Sequence, residues 1–287
     1  MSARWTAVSG STIGSVHVRD DLPLQDAHLV RVEDGTTVIA VADGHGHHLH
    51  FRSDVGSRIA VRIAVDLLAD ALPRLTAVPA AEVVLAEVGA ALVERWTAAV
   101  LDHLAAHPID AESAELVEDH ARLTQPYGTT LLAMVATGDV LGILQIGDGD
   151  AVVVTTDGVA ARPLPEDPAL DGTRTTSLCQ PDPLDALRLA VLDAQGDHIA
   201  LGYLCTDGFS AARVDANGWW RQTGAELVSY VRDRGLPWVE DRLPGWLEEP
   251  ARIGGDDTTL ALLVREDLTT DGDLRSSPTG TAWPRRG

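Results

Sequence analysis

Apolar residues in the N-terminal part of the chain occur in short alternating stretches, which indicates β-strands. Four strands are predicted, over residues 3–9, 13–18, 27–32 and 36–41. The dipeptide Asp34-Gly35 between the last two strands favours a tight turn and therefore a β-hairpin. A hairpin would bring Asp26, just before the third strand, and Asp43, just after the fourth, to the same end of one sheet.

Two long helices are predicted next, over residues 55–72 and 80–106, because apolar residues recur there every three or four positions. Pro73 should end the first helix and Pro108 the second, since proline cannot continue a helix. Residues 110–124 are acidic and only weakly patterned, and we expect them to form an excursion on the surface.

Strands return in the second half of the chain. A three-stranded meander is predicted over residues 128–135, 140–146 and 151–155, with turns that contain glycine and aspartate. Residues 162–183 are rich in Pro, Asp, Thr and Gly and are expected to form a loop or flap. The remaining predicted elements are strands at 187–192, 199–205 and 258–264 and helices at 224–234 and 237–249.

The order of these elements indicates the fold class. Consecutive strands joined by short turns favour antiparallel sheets over parallel β-α-β units. The sequence shows no internal repeat and no linker, so residues 1–266 are predicted to form one α+β domain with helices packed on sheets. Residues 267–287 are polar and contain Pro and Gly, and we expect a disordered tail.

Composition narrows the range of partners. The 287 residues include 43 acidic residues and 22 basic ones, all of them arginine, for a net charge of −21. Such an acidic chain argues against nucleic acid and anionic membranes as partners. The two cysteines form neither a metal-binding spacing nor a disulfide framework. No signal peptide or membrane-spanning segment is expected, and the predicted location is the cytoplasm.

Several aspartates share one setting, because each lies at the end of an apolar strand beside glycine or a turn. They are Asp26, Asp43, Asp148, Asp207 and Asp256 or Asp257. Carboxylates brought close together would repel one another unless a divalent cation neutralised them. Oxygen ligands select Mg²⁺ or Mn²⁺ over zinc, and two such ions about 3.5–4 Å apart could clamp a phosphoryl group. Taken singly, an Asp-Gly dipeptide is equally well explained as a turn between strands.

Six short blocks follow the order and spacing of a known family. They are Gln25-Asp26-Ala27, Asp43-Gly44-His45-Gly46, Tyr127-Gly128-Thr129-Thr130, Gly147-Asp148-Gly149, Thr206-Asp207-Gly208 and Asp256-Asp257-Thr258-Thr259. Over residues 9–264 the chain resembles the metal-dependent type-2C serine/threonine protein phosphatases, in particular their small bacterial branch. The resemblance implies a four-layer αββα sandwich, in which two antiparallel sheets are flanked by helix pairs. It also implies a dinuclear Mn²⁺ or Mg²⁺ site at one end.

The resemblance assigns metal-binding roles to the matching residues. Asp43 would bridge both cations, and the carbonyl of Gly44 would bind the second. Asp207 and Asp256 would bind the first cation, whereas Asp26 would act through bound waters.

Further roles follow from the same resemblance. Asp148 and Asp207 would form a weaker third metal site. His45 would be the general acid that protonates the leaving serine or threonine oxygen. A hydroxide that bridges the cations would attack phosphorus in line without a phosphoenzyme, and His45 and Asp43 would be the catalytic residues.

The chain departs from the family pattern at several positions. Gln25 stands where the family often has glutamate, and it would offer the second cation a neutral oxygen donor. Asp21 occupies the place of an arginine that usually binds the substrate phosphate. Arg52 is the predicted substitute, with Arg19 as the alternative. Ala211 replaces an acid, so a third cation would be held more loosely.

Some of these residues also have simpler explanations. His45 could be a solvated histidine of a turn. His47, His48 and His50 lie in a polar loop and are expected to be solvated or to bind Ni²⁺ or Zn²⁺ only incidentally. Asp257 is expected to support the site or to form a turn.

Three functions are therefore weighed. The first is a cytoplasmic, monomeric phosphatase of phosphoserine and phosphothreonine in proteins, paired with a cognate kinase. The second is a catalytically weak or silent domain of the same fold that binds phosphoproteins or regulates a partner, which Gln25 and the missing arginine favour. The third is a metal-dependent hydrolase of small phosphate esters.

Overall fold

Two antiparallel sheets of five strands lie face to face in the computed structural model, which describes residues 3–114, 116–117, 123–170, 175–211, 213 and 218–269. Helices cover the outer face of each sheet. The predicted α+β class and the predicted four-layer order of helices, sheet, sheet and helices are confirmed.

Each sheet combines strands from distant parts of the sequence. The sheet that holds the first strand, here called the terminal sheet, contains in spatial order β1 (Trp5–Thr12), β10 (Thr258–Arg265), β9 (Ile199–Cys205), β6 (Asp150–Thr155) and β7 (Ala160–Ala161). The other, here called the hairpin sheet, contains β2 (Ala27–Glu33), β3 (Thr36–Ala42), β4 (Leu131–Ala136), β5 (Val140–Ile146) and β8 (Arg188–Asp193).

Seven α-helices lie between and around these strands in the described residues. They are α1 (Ser15–Arg19), α2 (Ser53–Ala71), α3 (Val78–Ala106), α4 (Ala111–Ala114), α5 (Asp207–Ser210), α6 (Trp219–Arg234) and α7 (Leu236–Gly254). Helices α2 and α3 pack on the hairpin sheet, and α6 and α7 pack on the terminal sheet. Within the described part of the chain, no helix combines the length and the apolar character needed to cross a bilayer.

The core consists of three apolar layers. One lies between α2, α3 and the hairpin sheet, and another between the terminal sheet and α6 and α7. The third lies between the two sheets and includes Trp5, Ile39, Met134 and Leu263, all fully buried. Because the central strands are covered on both faces, their sequences are continuously apolar.

The predicted hairpin is confirmed. β2 and β3 pair from Ala27 opposite Ala42 to Glu33 opposite Thr36. Asp34 and Gly35 both have positive φ angles, 50° and 80°, which an Asp-Gly turn accommodates. The hairpin therefore holds the segments before residue 27 and after residue 42 at one end of its sheet, as expected.

The predicted strand at residues 13–18 is wrong, because residues 15–19 form helix α1. Its start is fixed by α7, since Val16 N–H donates to Gly255 O (2.9 Å) and the Ser15 hydroxyl donates to Arg252 O (3.0 Å). Four alternating residues are too short a window to decide between strand and helix. The predicted end of the first strand at residue 9 is also wrong, because Gly10 and Ser11 pair within β1.

The predicted three-stranded meander is wrong at its third strand. β4 and β5 pair in the hairpin sheet, but β6 pairs with β9 and β7 in the terminal sheet. The chain crosses between the sheets at Gly147, whose φ of 107° favours glycine. The Gln145 side-chain amide holds this crossing by donating to Gly147 O (3.0 Å) and Gly149 O (2.6 Å).

Other boundaries differ in detail. Helix α7 continues through Pro244 and Pro250 to Gly254, beyond the predicted end at residue 249. Pro250 is buried against the core, so its packing outweighs the missing backbone donor. The predicted excursion at 110–124 and tail at 267–287 lie partly outside the described residues, and the domain end at residue 266 stays a prediction. Residues 266–269 form a short 3₁₀ turn.

We predict that Trp5→Ala lowers the free energy of unfolding by about 3–5 kcal/mol, because it opens a cavity between the sheets. Trp5 is fully buried, and its indole N–H donates to Thr137 O (2.7 Å). Chemical denaturation measures the change. Val159→Ala is the control, because its side chain is 60 % exposed. Equal stability of the Trp5 variant and the wild type would contradict this account of the core.

Candidate active site

A pocket of about 500 Å³ lies where the ends of the two sheets meet. Asp43, Asp148, Asp207 and Asp256 line it together with His45. The structure thus brings four of the aspartates predicted from the sequence to one place, beside the predicted general acid.

Both sheets contribute to this pocket. Asp43 directly follows β3 of the hairpin sheet, whereas Asp207 directly follows Thr206 at the end of β9 in the terminal sheet. Asp256 precedes β10 of the terminal sheet, and Asp148 lies on the turn by which the chain crosses from β5 to β6. The aspartates are close together because the strands that carry them end at the same edge of the sandwich.

The backbone around Asp43 is tightly held. Asp43 N–H donates to the Thr130 hydroxyl (3.0 Å), and Asp43 O accepts from Thr130 N–H (2.9 Å) and from the Thr129 hydroxyl (2.9 Å). The next residue, Gly44, has no room for a side chain, because a Cβ would lie 2.6 Å from Gln25 O. The position of the Asp43 carboxylate is therefore set by backbone contacts.

Asp26 lies beneath the pocket, outside its lining. Its side chain is buried, and its Oδ2 accepts from the hydroxyls of Thr206 (2.8 Å) and Thr259 (2.6 Å). Burial raises the pKa of Asp26 well above its ordinary value, and the charges of Asp257 and Asp256 raise it further. Asp26 is thus close to the other acids but separated from the pocket space.

Asp257 supports the site from within the fold. Its carboxylate accepts from the backbone N–H groups of Gly14 (2.8 Å) and Gln25 (2.6 Å). The carboxylate therefore joins the start of β10 to the segment before α1 and to the loop that carries Gln25 and Asp26. Gln25 itself is buried and does not line the pocket.

The electrostatics of the pocket favour the binding of a cation. Burial raises the pKa of Asp43 well above its ordinary value, and the charges of Asp26 and Asp207 add to this effect. Burial followed by the charge of Asp207 also raises the pKa values of Asp148 and Asp256. The carboxyl groups of Asp43, Asp148 and Asp256 are thus harder to ionise than in water, and a bound cation would relieve the repulsion.

The donor set fits a hard divalent cation. Asp43, Asp207 and Asp256 offer carboxylate oxygens, and Gly44 adds a backbone carbonyl, which are the ligands that Mg²⁺ and Mn²⁺ prefer. The buried Oδ1 of Asp207 has no hydrogen-bond partner among the described residues. In those residues, no group of three His, Cys, Asp or Glu side chains is already arranged around one point. Binding of a cation would therefore require side-chain rotation.

His45 is held in a neutral state beside the acids. Its Nε2 lies 2.8 Å from the Ser177 hydroxyl, and its backbone N–H donates to Gly128 O (3.1 Å). Burial, with a smaller contribution from His50, lowers the pKa of His45 to about 3. The Ser177 hydroxyl donates to Thr129 O (3.1 Å) and accepts from the N–H groups of Thr129 (3.2 Å) and Cys179 (3.4 Å), and these bonds hold it beside the ring of His45.

The other histidines of this loop differ in exposure. His47 and His48 are exposed, as expected for solvated side chains. His50 is half-buried, and its Nδ1 lies 2.6 Å from Gln125 O, so this nitrogen carries a proton and donates. Burial lowers the pKa of His50.

The structure does not bring the two predicted phosphate-binding arginines to the pocket. Arg52 donates to His107 O (2.7 Å), to the Tyr127 hydroxyl (2.8 Å) and to Pro108 O (3.3 Å), and it thereby joins α2 to the end of α3. Arg19 pairs with Asp20 on the surface (2.7 Å). Among the described residues that line the pocket, none is arginine.

Sequence reasoning missed two residues near the site. Ser177 lies in the loop predicted at 162–183, where nothing in the sequence distinguishes it from the neighbouring threonines. His17 lies in the segment predicted as a strand, and only its helix brings it beside Asp256 and Asp257, at 3.7 Å and 2.9 Å.

A double antiparallel sandwich with an aspartate-lined pocket at one end is the architecture expected of a type-2C phosphatase. The sequence profile of this family, protein phosphatase 2C, matches residues 13–248. The chain therefore belongs to the protein phosphatase 2C family of serine/threonine protein phosphatases, and the predicted family is confirmed. No curated protein matches the chain significantly by sequence.

Solved structures share the fold at low sequence identity. The serine/threonine phosphatase PstP/Ppp of Mycobacterium tuberculosis is 21% identical, with a TM-score of 0.56, over 91% of this chain and 98% of that one. PppA, a regulatory component of the type VI secretion system of Pseudomonas aeruginosa, is 19% identical, with a TM-score of 0.55, over 92% and 99%. The PstP catalytic domain in complex with 2 manganese ions is 19% identical, with a TM-score of 0.53, over 91% and 98%.

We predict that Asp43→Asn raises the melting temperature in the presence of EDTA at pH 7.5. The pKa of Asp43 is higher in the folded protein than in the unfolded chain, so its ionisation destabilises the fold as pH rises above the unfolded value of about 3.9. Each kcal/mol regained should raise the melting temperature by about 2–4 °C.

The matched control is Asp66→Asn, which removes the same charge from a side chain that is 60 % exposed. Mn²⁺ should stabilise the wild type more than Asp43→Asn. A lower melting temperature of Asp43→Asn in EDTA would show that the carboxylate stabilises the fold and would contradict the expectation.

Proposed function

We propose that the protein is a phosphatase of phosphoserine and phosphothreonine in proteins, dependent on Mn²⁺ or Mg²⁺. We further propose that it acts in the cytoplasm as a monomer, on the substrate of a cognate kinase. The observation that carries the proposal is the convergence of Asp43, Asp148, Asp207 and Asp256 on one pocket beside His45. Membership of the protein phosphatase 2C family supports it.

The proposed ligands follow the geometry of the pocket. Asp43 and the Gly44 carbonyl would hold cations from the hairpin sheet, and Asp207 and Asp256 from the terminal sheet. Asp26, which is buried beneath them, would act through water. When bound, two cations would supply positive charge for the phosphoryl group and a hydroxide at neutral pH. Asp148 would contribute with Asp207 to a weaker third site.

His45 is the proposed general acid. Its low pKa means that it is neutral at pH 7 before substrate binds. A bound phosphate brings negative charge close to the ring, which raises the pKa of the imidazole and favours its protonated form. Ser177 holds the ring and Gly128 holds the backbone of His45 while the proton is delivered to the leaving oxygen. His45 would thus become an acid when substrate is present.

A silent domain that binds phosphoproteins is the second candidate. It is favoured by Arg52, whose guanidinium is occupied by backbone carbonyls and the Tyr127 hydroxyl, and by the neutral side chain of Gln25. Catalytic activity on any phosphate ester separates this candidate from the proposed enzyme.

We predict that the purified protein hydrolyses phosphoserine and phosphothreonine peptides in the presence of Mn²⁺ and that EDTA abolishes the activity. Asp207→Asn should remove the activity and leave the fold intact, because one pocket ligand is lost without a change in volume. Asp66→Asn is the control. Phosphate release measures the activity, and circular dichroism shows whether the fold is intact. Full activity in EDTA would contradict the cation-dependent reaction, and cleavage of small metabolites alone would favour the third function.

We predict that His45→Ala slows the hydrolysis of an alkyl phosphate more than the hydrolysis of p-nitrophenyl phosphate. A general acid contributes about 10²–10⁴-fold when the leaving group is a poor one, and nitrophenolate leaves almost unaided. The ratio of kcat values for the two substrates should therefore change by at least about tenfold. His47→Ala, in the same loop but exposed, is the control. Equal losses on both substrates would make His45 a structural residue.

A further inference from the structure

His17 lies between two aspartates at the edge of the pocket. Helix α1 carries this side chain, which is 7 % exposed. Its Nδ1 lies 2.9 Å from Asp257 Oδ1, and its Nε2 lies 3.7 Å from Asp256 Oδ1. Asp256 lines the pocket, so the Nε2 side of the imidazole faces the proposed metal site.

The surroundings of His17 orient its ring nitrogens. Nδ1 lies beside the Asp257 carboxylate, which accepts from the N–H groups of Gly14 and Gln25, but this contact does not have the geometry of a hydrogen bond. The other ring nitrogen, Nε2, is directed towards Asp256. Metal-binding histidines usually have a carboxylate beside one ring nitrogen while the other nitrogen faces the ion, and His17 has this placement between Asp257 and Asp256.

Gln25 provides a second, independent observation. Its side chain is 6 % exposed, and its buried Oε1 has no hydrogen-bond partner among the described residues. A Cβ placed on Gly46 would lie 3.6 Å from Gln25 Oε1 and 3.7 Å from His17 Nε2. Two lone-pair donors therefore face the same small space beside Gly46, next to the Asp256 carboxylate.

The separation of the donors suits a shared ion. Ligands about 2.1 Å from one ion are about 3.0 Å apart at right angles and about 4.2 Å apart when opposite. The 3.7 Å between His17 Nε2 and Asp256 Oδ1 lies within these limits. The same distance is too long for a hydrogen bond, so the two atoms do not satisfy each other directly.

We propose that His17 is a ligand for a divalent cation, which His17 Nε2, Asp256 and the Oε1 of Gln25 bind together. This inference rests on the proposed function, because it adds a nitrogen ligand to the cation site suggested there. An imidazole ligand favours Mn²⁺ over Mg²⁺, which retains a preference for oxygen and water. The nitrogen of His17 thus gives the site a preference that carboxylates alone do not provide.

The test uses the full-length protein loaded with Mn²⁺ and pulsed electron paramagnetic resonance, which detects a directly bound ¹⁴N nucleus. The wild type should show the coupling of one imidazole nitrogen. His17→Gln should lose it, whereas His47→Gln, an exposed histidine of the pocket, should retain it. In calorimetric titrations His17→Gln should bind one Mn²⁺ at least about tenfold more weakly, with a smaller change for Mg²⁺.

Gly46→Ala tests the same space with His17 in place. The φ angle of Gly46 is not positive, and the added methyl group would be at ordinary contact distance from Gln25 and His17, so the fold should be preserved. The methyl group would occupy the space proposed for the ion and should also abolish the nitrogen coupling. If His17→Gln fails to fold, Gly46→Ala still tests whether the ion binds beside His17.

The outcomes separate this inference from the proposed function. Wild-type protein that binds Mn²⁺ without a nitrogen coupling would overturn the role of His17 and leave the phosphatase proposal intact. Persistence of the nitrogen coupling in both His17→Gln and Gly46→Ala would also overturn the role of His17 and leave the phosphatase proposal intact. Failure of the wild type to bind Mn²⁺ at all would overturn both proposals.

Discussion

Repulsion between carboxylates at the junction of the two sheets is the constraint around which the site is arranged. Hydrogen bonds compensate part of it away from the pocket, where Asp26 accepts from two threonine hydroxyls and Asp257 from two backbone amides. Even so, burial raises the pKa values of Asp26, Asp43 and Asp256, and the neighbouring carboxylates add to this effect. The fold therefore holds negative charge in place and leaves its neutralisation to a proton or a bound cation.

Local sequence patterns predicted most of the sandwich and the position of its acids. The Asp34-Gly35 turn and the apolar runs on either side specified the β2–β3 hairpin, which placed Asp26 and Asp43 at one end of a sheet. Long helices were predicted well because many turns contribute to their periodicity. Aspartates at strand ends could be identified because the end of an apolar run is visible in the sequence.

Features that depend on distant contacts could not be predicted in this way. Helix α1 forms because α7 supplies hydrogen-bond acceptors for its first residues, and nothing in residues 13–18 encodes that contact. Strand β6 joins the terminal sheet because β9 pairs with it, although the chain arrives from the other sheet. Ser177 and His17 reach the site through the same kind of long-range placement, so neither was identified as a candidate.

The position of the pocket across the two sheets has a mechanical consequence. Asp43 belongs to the hairpin sheet and Asp207 to the terminal sheet, and the hydrogen bonds of Asp26 and Asp257 join the two sheets at this end, together with apolar contacts and the crossing at Gly147. An ion bound by both aspartates would cross-link the layers, as a disulfide does in many secreted domains. Removal of the ion would then take away this cross-link, and the aspartates of the two layers would repel each other across the junction.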